Sequence, residues 1–537
     1  MEVRAAYSFV LALFLAMALI PVLVRLAGPA GLLDAGGGRK VHDRPVPRIG
    51  GVAIFVGFIV SVLIWVPLRT DLSAFLAAAT LQFLFGLLDD RFNLDYRLKL
   101  LGQALAAGVV IIAGDVLIAR VPFWPGGLLP ELLAVPFTIL VLVAVTNAVN
   151  LSDGLDGLAG GIGLLAAAGL AVLSYPAGDP AVFMVLVTLV GAIFGFLRFN
   201  TFPARLFMGD SGSQLLGFSI GVLAIVTTQP SSSGISPVVP LLVLGLPILD
   251  TLTVMTGRIR RGQSPFTADR THLHHRLLDA GLSHKEAVGL IYGAQFLLMA
   301  IAYLLRERAD GMLLLTYLVF CALALLGLRG LEHYRSHGPH RKRLVRARAW
   351  LLRLRALRRL PLQVLAAGIP LFLAAGALAS GTVGPDIGVL ALTLLVLLAA
   401  LLLTRRLPIL AIERLSAYTT AIAILYLLAE APPGLTQGCE LCLPVLFWAL
   451  ALSSLILVRA WRQGFRLTTL DVLILLAALT APLLRDLGLH EIGLLALKAI
   501  VLFYGIEILM LERERRWDAL RVGVIATLAI LAARGLT

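Results

Sequence analysis

Apolar residues gather in continuous runs of about 17 to 22 positions along the whole chain, each long enough to cross a bilayer as an α-helix. The runs do not alternate, and they exceed the length of barrel strands, so a membrane β-barrel does not fit. About eleven precede residue 330: roughly 6–26, 49–68, 72–88, 98–118, 132–150, 155–175, 181–198, 212–228, 237–256, 288–306 and 311–329. A further six or seven follow, near 362–381, 387–404, 408–429, 443–459, 468–485, 489–511 and 518–534. The pattern predicts an all-α polytopic membrane protein. The first run is nearly span-length and has no clear small-residue cleavage site, so it reads as a retained helix rather than a signal peptide.

Composition agrees with that reading. Of 537 residues, 59% are hydrophobic and only 14% charged, where a soluble domain carries about a quarter. Lys and Arg number 45 against 31 Asp and Glu, a net charge of +14. Placement of this excess implies membrane orientation and no nucleic acid. With the N-terminus outside, one set of alternate loops holds Arg39, Lys40, Arg44, Arg48, Arg91, Arg97, Lys99, Arg198, Arg205, Arg258, Arg260, Arg261, Arg270, Arg276 and Lys285. The opposite set, up to residue 330, holds little beyond Arg4, Arg69, Arg120, Arg306 and Arg308. The basic loops are therefore expected to face the cytoplasm. Orientation alone accounts for most of them, although a positive face also suits an anionic substrate. Cys321 lies in an apolar run, while Cys439 and Cys442 form CELC in an outer loop. That spacing suits a local disulfide better than a metal site, which wants four ligands.

Against this apolar background, five polar clusters are expected on the cytoplasmic side. The first is GGGRKVHDRPVPRIGG, Gly36 to Gly51, whose glycines, prolines and basic residues, Arg48 among them, suit a loop around a phosphate. The second is Asp89-Asp90 at the end of an apolar run, followed by Lys99. Adjacent carboxylates repel, and a bound cation or a raised pKa would relieve them; a helix end in water is the plainer alternative. The third is NAVNLSDGLDGLAGG, where an apolar run empties into Asn147, Asn150, Asp153 and Asp156. Acids at the mouth of a membrane helix are costly unless they hold a cation, a proton or a substrate. Spaced by three, Asp153 and Asp156 would share one face of a continuing helix.

The fourth cluster, RFNTFPARLFMGDSGSQ, places Asn200, Asp210 and a Gly-Ser-Gly stretch before an apolar run, where a helix N-terminus could seat a phosphate. The fifth, Arg258 to Ala287, groups His272, His274 and His275 with Arg270 and Arg276. Basic imidazoles gripping a pyrophosphate explain it better than zinc, for no cysteine lies nearby. Ser283 and Glu286 form a capping box that starts the next helix, and Asp250 lies near the same face.

Carboxylates able to hold Mg²⁺ or Mn²⁺, together with Arg, Lys and His, supply the parts for phosphoryl transfer. A transporter or lipid flippase would place its polar groups near the bilayer midplane instead. The segments PRIGG, LLDDRFNL, NAVNLSDGLDGLAGG, FNTFPARLFMGDSGS and ADRTHLHHRL, in this order, resemble the polyprenyl-phosphate N-acetylhexosamine-1-phosphate transferases over about residues 1–330. The HLHHRL form resembles the branch that uses UDP-N-acetylglucosamine. The resemblance implies a bacterial inner-membrane enzyme with its active site on the cytoplasmic face. It also implies attack of undecaprenyl phosphate on a UDP-N-acetylhexosamine, with release of UMP and formation of a lipid-linked sugar. By the same resemblance Mg²⁺ sits on Asp210, with Asp153 beside it, and Asp89 is the proton acceptor with Asp90 assisting. Asn147, Asn150, Asp153, Asp156 and Asn200 then line the nucleotide and metal region. His272, His274 and His275 contact pyrophosphate or sugar, with Lys99, Arg48, Arg270 and Arg276 as further substrate contacts.

The resemblance stops near residue 330. Residues 331–360 are dense in Lys and Arg and read as a basic linker lying on anionic lipid. Residues 361–537 form a C-terminal transmembrane domain with no comparable constellation of carboxylates and histidines. A scaffold, a partner-docking module or a homodimer interface is expected there rather than a second enzyme.

Overall fold

The protein is described from a computed structural model over residues 2–34, 45–230, 233–264, 271–337, 359–404, 409–429, 442–460, 471–473, 476, 490–511 and 517–536. It divides into two compact units, Met1–His337 with Thr468–Leu473, and Gly338–Leu467 with Ile474–Thr537. Ten described helices are long and apolar enough to cross a membrane, and the only described sheet is a two-stranded one. The chain is thus an all-α polytopic membrane protein. Most of the basic linker, the CELC cysteine Cys439 and nearly all of the expected span at 468–485 lie outside the described residues.

In the first unit, α1 (Glu2–Ala30), α2 (Gly50–Trp65), α3 (Thr70–Phe92), α4 (Tyr96–Gly114), α5 (Glu131–Leu151), α6 (Leu158–Ser174), α7 (Pro180–Asn200) and α8 (Gly209–Thr228) follow the predicted runs. The innermost helix is α8: 94% of its apolar window is buried, against 17% for that of α1. It packs on α2, α3, α5, α6 and α7, and on the short helix Val239–Val243 that follows it. Close approach is possible because small residues meet there. A Cβ on Gly86 of α3 would lie 2.5 Å from the Ser211 backbone, and one on Gly51 of α2 would lie 2.4 Å from the Gly212 nitrogen. In lipid, where burial of apolar surface adds little, such backbone proximity is what holds helices together.

The run expected as one span at 237–256 is instead two helices, α9 (Val239–Val243) and α10 (Gly245–Arg260), joined through Leu244. Gly245 and Pro247 weaken the helical ladder at that point. Neighbouring helices satisfy the carbonyls it frees: Gln295 donates to the Val243 carbonyl at 2.7 Å and Tyr317 to that of Gly245 at 2.9 Å. A break at membrane depth is tolerated only with such partners. Beyond it lie the short α11 (Leu273–Asp279), α12 (His284–Leu305) and α13 (Asp310–His337). The Ser283–Glu286 capping box that starts α12 forms as the sequence indicated.

Before α2, β1 (Leu33–Asp34) pairs antiparallel with β2 (Val46–Pro47). The strand continues into the PRIGG segment, whose Pro47 carbonyl accepts from the Phe207 nitrogen at 2.7 Å while Gly50 donates to the Phe207 carbonyl at 2.9 Å. This pins the entry to α2 against the entry to α8.

The second unit contains α14 (Arg359–Ala379), α15 (Pro385–Thr404), α16 (Ile409–Ala429), α17 (Cys442–Ala460), α18 (His490–Leu511) and α19 (Trp517–Leu536). Its core includes Leu365, Ile369, Phe372, Leu373, Leu450, Leu502, Ile506 and Leu528. Near the end of α19, the Arg534 guanidinium donates to the carbonyls of Ser380 and Gly381 at 2.9 Å and to that of Ala377. A cation is favourable at these orphan carbonyls, where α14 ends.

Gly86→Ala is expected to force α3 away from α8 and to destabilise the solubilised protein by about 1–3 kcal/mol. Gly108→Ala, where a Cβ meets nothing within 4 Å, should leave the melting temperature unchanged or raised. Equal melting temperatures for the two variants would contradict the packing described.

Candidate active site

The start of α8 is held by a carboxylate from another helix. Asp90, near the end of α3, accepts from the backbone nitrogen of Asp210 at 2.7 Å and from that of Ser211 at 2.9 Å. The first N–H groups of a helix lack intrahelical partners, and an acid there also meets the positive end of the helix dipole. Asp90 therefore caps α8 across space. Gly209 lets the chain approach: its φ is +76° and a Cβ would lie 2.6 Å from the Asp90 Oδ2. The result is a fixed position for the Asp210 side chain, which also accepts from Asn150 Nδ2 at 2.6 Å. Asn150 donates to the Ser213 hydroxyl at 2.8 Å as well.

Asp89 faces the other way. Its Oδ2 lies 2.6 Å from Lys99 Nζ, on the first turns of α4, and its Oδ1 accepts from the Leu94 nitrogen at 2.9 Å. The Asp89 side chain is 0% exposed, whereas Lys99 and Asp210 are 28% and 30% exposed and stand 3.8 Å apart. Lys99 and Asp210 are thus presented to the surface, with Asp89 as a buried counter-charge behind the ammonium.

Beneath this ion cluster runs a chain of amides that joins Asn147, expected from the sequence to line the nucleotide region, to three glutamines that the sequence did not single out. Gln214 reaches Asp89 at 3.4 Å, Gln82 donates to Gln214 at 2.8 Å, and Asn147 donates to Gln103 at 2.6 Å. Gln103 in turn approaches Gln214 at 3.4 Å. Gln82 and Gln103 are single amides inside apolar runs, and Gln214 closes the polar GDSGSQ stretch. The available signal was that an uncharged amide at membrane depth must find a partner on another helix.

The acids of the α5–α6 turn do not share a helix face. α5 ends at Leu151 and α6 begins at Leu158, with glycines at positions 154 and 157 opening the turn between them. Asp153 and Asp156 therefore take separate tasks. Burial among the surrounding elements pushes the Asp153 carboxyl up to about 7, helped by the charges of Asp210, Asp90 and Asp156 and opposed by Arg48. Asp153 thus stands within electrostatic reach of both Asp210 and Arg48. Asp156 is 7% exposed and accepts from the Ala204 nitrogen at 2.9 Å, tying the turn to the α7–α8 loop. Asn200 is just as structural: it accepts from the Gly157 nitrogen and donates to the Leu206 carbonyl, both at 2.9 Å.

The histidines reach the same place through α11. Asp250 of α10 accepts from His272 Nδ1 at 2.9 Å and from the Leu273 nitrogen at 2.6 Å, again a carboxylate capping a helix from another element. His274 is buried between His272 and His275, its ring centroid 5.7 Å from the first and 4.3 Å from the second. It abuts Gly154, where a Cβ would lie 2.1 Å from its Nε2. Burial and the His275 charge push its pKa down to about 4, against the weaker pull of Asp250. At neutral pH His274 is an uncharged hydrogen-bonding ring. Arg276 is engaged with Glu332 of α13 at 2.8 and 3.0 Å, so its guanidinium anchors α11 to α13. Arg270 lies outside the described residues.

Every donor in the acidic group is a hard oxygen, and no cluster of three or more His, Cys, Asp or Glu side chains forms a ready metal cage among the described residues. Such a set fits Mg²⁺ or Mn²⁺, which take one or two carboxylates and complete their shell with water and substrate phosphate. The carboxylate repulsion that raises Asp153 points the same way.

Comparison with known proteins agrees with this geometry. Residues 72–228 match the model of glycosyl transferase family 4. The chain is 34% identical over 307 residues to a probable undecaprenyl-phosphate N-acetylglucosaminyl 1-phosphate transferase of Bacillus subtilis (strain 168), covering 57% of this chain and 86% of the relative. It is 31% identical over 288 residues to an undecaprenyl-phosphate alpha-N-acetylglucosaminyl 1-phosphate transferase of Escherichia coli (strain K12), covering 52% and 78%. With a decaprenyl-phosphate N-acetylglucosaminephosphotransferase of Mycolicibacterium smegmatis it shares 38% over 287 residues, covering 47% and 70%.

A carboxyl raised to about 7 in the folded protein binds a proton that the unfolded chain releases near 4. Stability is therefore lost as pH rises through the interval from 4 to 7. In EDTA-treated protein, Asp153→Asn should raise the melting temperature at pH 8 and leave it nearly unchanged at pH 4. A pH-independent difference, measured by thermal unfolding across that range, would remove Asp153 from the acidic cluster.

Proposed function

Since the chain belongs to the polyprenyl-phosphate N-acetylhexosamine-1-phosphate transferases of glycosyl transferase family 4, we propose that it transfers N-acetylglucosamine 1-phosphate from a UDP-linked donor to undecaprenyl phosphate. A lipid phosphate oxygen forms a bond to the sugar-bearing phosphorus. The bond from that phosphorus to the bridging oxygen breaks, and UMP leaves with the electron pair. The observation that carries this reading is the partly exposed Lys99 ammonium 3.8 Å from the Asp210 carboxylate, with buried Asp89 behind it.

In this arrangement Lys99 receives the lipid phosphate, and Asp89 positions Lys99. The lipid phosphate is already ionised at neutral pH, so little proton removal is required. A buried carboxylate committed to an ammonium is better placed to orient than to abstract. Asp90 acts on Asp210 through the backbone of α8, while Asn150 fixes the Asp210 carboxylate from the side. Asp210 and Asp153 would hold Mg²⁺, which when bound neutralises phosphate charge. His274 and its neighbours, against Gly154, are set to bind the pyrophosphate or sugar as hydrogen-bonding rings. The basic loops support a cytoplasmic face for the site in a bacterial inner membrane, where a water-soluble nucleotide sugar meets a lipid.

Purified protein with undecaprenyl phosphate, UDP-N-acetylglucosamine and Mg²⁺ is expected to release UMP and form a lipid-linked product. Absence of product with every UDP-N-acetylhexosamine tried would sink the reading. Asp210→Ala should abolish Mg²⁺-dependent turnover. Asp89→Asn should raise KM for the lipid phosphate at least about tenfold, the loss of a charge-assisted contact, with nucleotide affinity retained. A fall in kcat with both KM values unchanged would instead make Asp89 a proton acceptor.

A further inference from the structure

His284 opens α12 directly after its Ser283 cap, and the transfer reaction gives it no part. Its Nε2 lies 3.1 Å from the Asp156 carbonyl oxygen. A carbonyl can only accept, so this nitrogen carries the ring proton and donates it. The same ring stacks on Phe202 of the α7–α8 loop, with centroids 4.4 Å apart and planes at 27°. On the far side of the Asp156–Gly157 peptide, the Gly157 nitrogen donates to Asn200 at the end of α7, at 2.9 Å. One peptide unit between α5 and α6 is thus held at its carbonyl by α12 and at its nitrogen by α7.

Side chains have to do this because the flanking helices do not. Gly157 sits at φ +82°, which breaks the helical path just before α6, and buried backbone groups outside a helix need other partners. Two turns further along α12, the Tyr292 hydroxyl donates to the Gly157 carbonyl at 2.6 Å. It passes over Gly161, where a Cβ would lie 2.1 Å from that hydroxyl oxygen. α12 therefore supports two successive carbonyls of the turn. Three residues before the held peptide comes Asp153, and two before it comes Gly154, against which His274 lies. Lys99 and Asp89, assigned to the lipid phosphate, belong to other helices, α4 and α3. A loosened turn should therefore disturb the nucleotide sugar and spare the lipid.

We propose that His284 is a positioning residue for the donor half of the site, fixing through the Asp156 carbonyl the turn that carries Asp153 and the seat of His274. The inference rests on the transfer reaction proposed above. Two variants of the full-length protein separate the parts of the contact: His284→Phe keeps a ring on Phe202 and loses the donor, while His284→Gln keeps a donor and loses the ring. With Mg²⁺ present, His284→Phe should raise KM for UDP-N-acetylglucosamine about tenfold, the loss of one buried hydrogen bond, and leave KM for undecaprenyl phosphate unchanged. His284→Gln should recover most of that loss. A fall in kcat with both KM values unchanged would report only a smaller folded fraction and overturn the positioning role. Hydrogen exchange read by mass spectrometry follows the turn without turnover. The peptide covering residues 152–158 should exchange about tenfold faster in His284→Phe than in the parent or His284→Gln, with peptides of α8 equally protected in all three. Equal exchange at 152–158 would overturn the clamp. A parent that forms no product would sink the transferase reading and the donor assignment with it, while exchange would still decide whether His284 holds the turn.

Discussion

The grip of Asp90 on the first backbone nitrogens of α8 is the contact from which the arrangement of the site follows. It joins the end of α3 to the start of the innermost helix and uses the two N–H groups that a helix terminus must satisfy somewhere. Because the capping acid comes from another helix, the two cannot slide along each other without exposing those donors in a poorly solvated place. Asp210 is thereby fixed beside Lys99. Asp89, one residue earlier on α3, reaches Lys99 from behind. A single dipeptide thus sets both the carboxylate and the ammonium of the site, and its two carboxylates face different partners.

The same device appears again at α11, where Asp250 caps a short helix from α10 and brings the histidines to Gly154. Short helices at a membrane surface have little packing of their own. Borrowed caps supply what length cannot. The anchoring of α11 is completed by Arg276 on Glu332, so a residue expected to touch substrate also holds the histidine helix to α13.

The helical spans, their order and the convergence of polar clusters could be read from the sequence because bilayer length and apolar continuity leave few alternatives. Asp89, Asp90, Lys99, Asn150 and Asp210 could be named because charges and amides at the ends of apolar runs stand out. Their division of labour was hidden. The orientation of Asp89 and Asp90 depends on where α8 begins in space, which no local spacing encodes. Asp153 and Asp156 would share a face only on a continuing helix, and the helix ends at Leu151. Gln82 and Gln103 were overlooked since one amide in an apolar run carries no periodic signal. The break at Leu244 was marked by Gly245 and Pro247, yet it could be recognised only once Gln295 and Tyr317 were seen to satisfy the freed carbonyls.

The burial of α8 has a consequence for biogenesis. It has the lowest hydropathy of the ten described spans, 1.4, and is the most enclosed. Gln214, Ser213 and Asp210 would meet hydrocarbon if it entered lipid alone, at a cost of several kcal/mol for unpartnered polar groups. Of the helices that pack on it, α2, α3, α5, α6 and α7 precede it in the chain and the short α9 follows. Synthesis from the N-terminus therefore builds most of the slot before its occupant emerges. The order of elements along the polypeptide doubles as an assembly sequence in which the most polar span never has to wait in the bilayer.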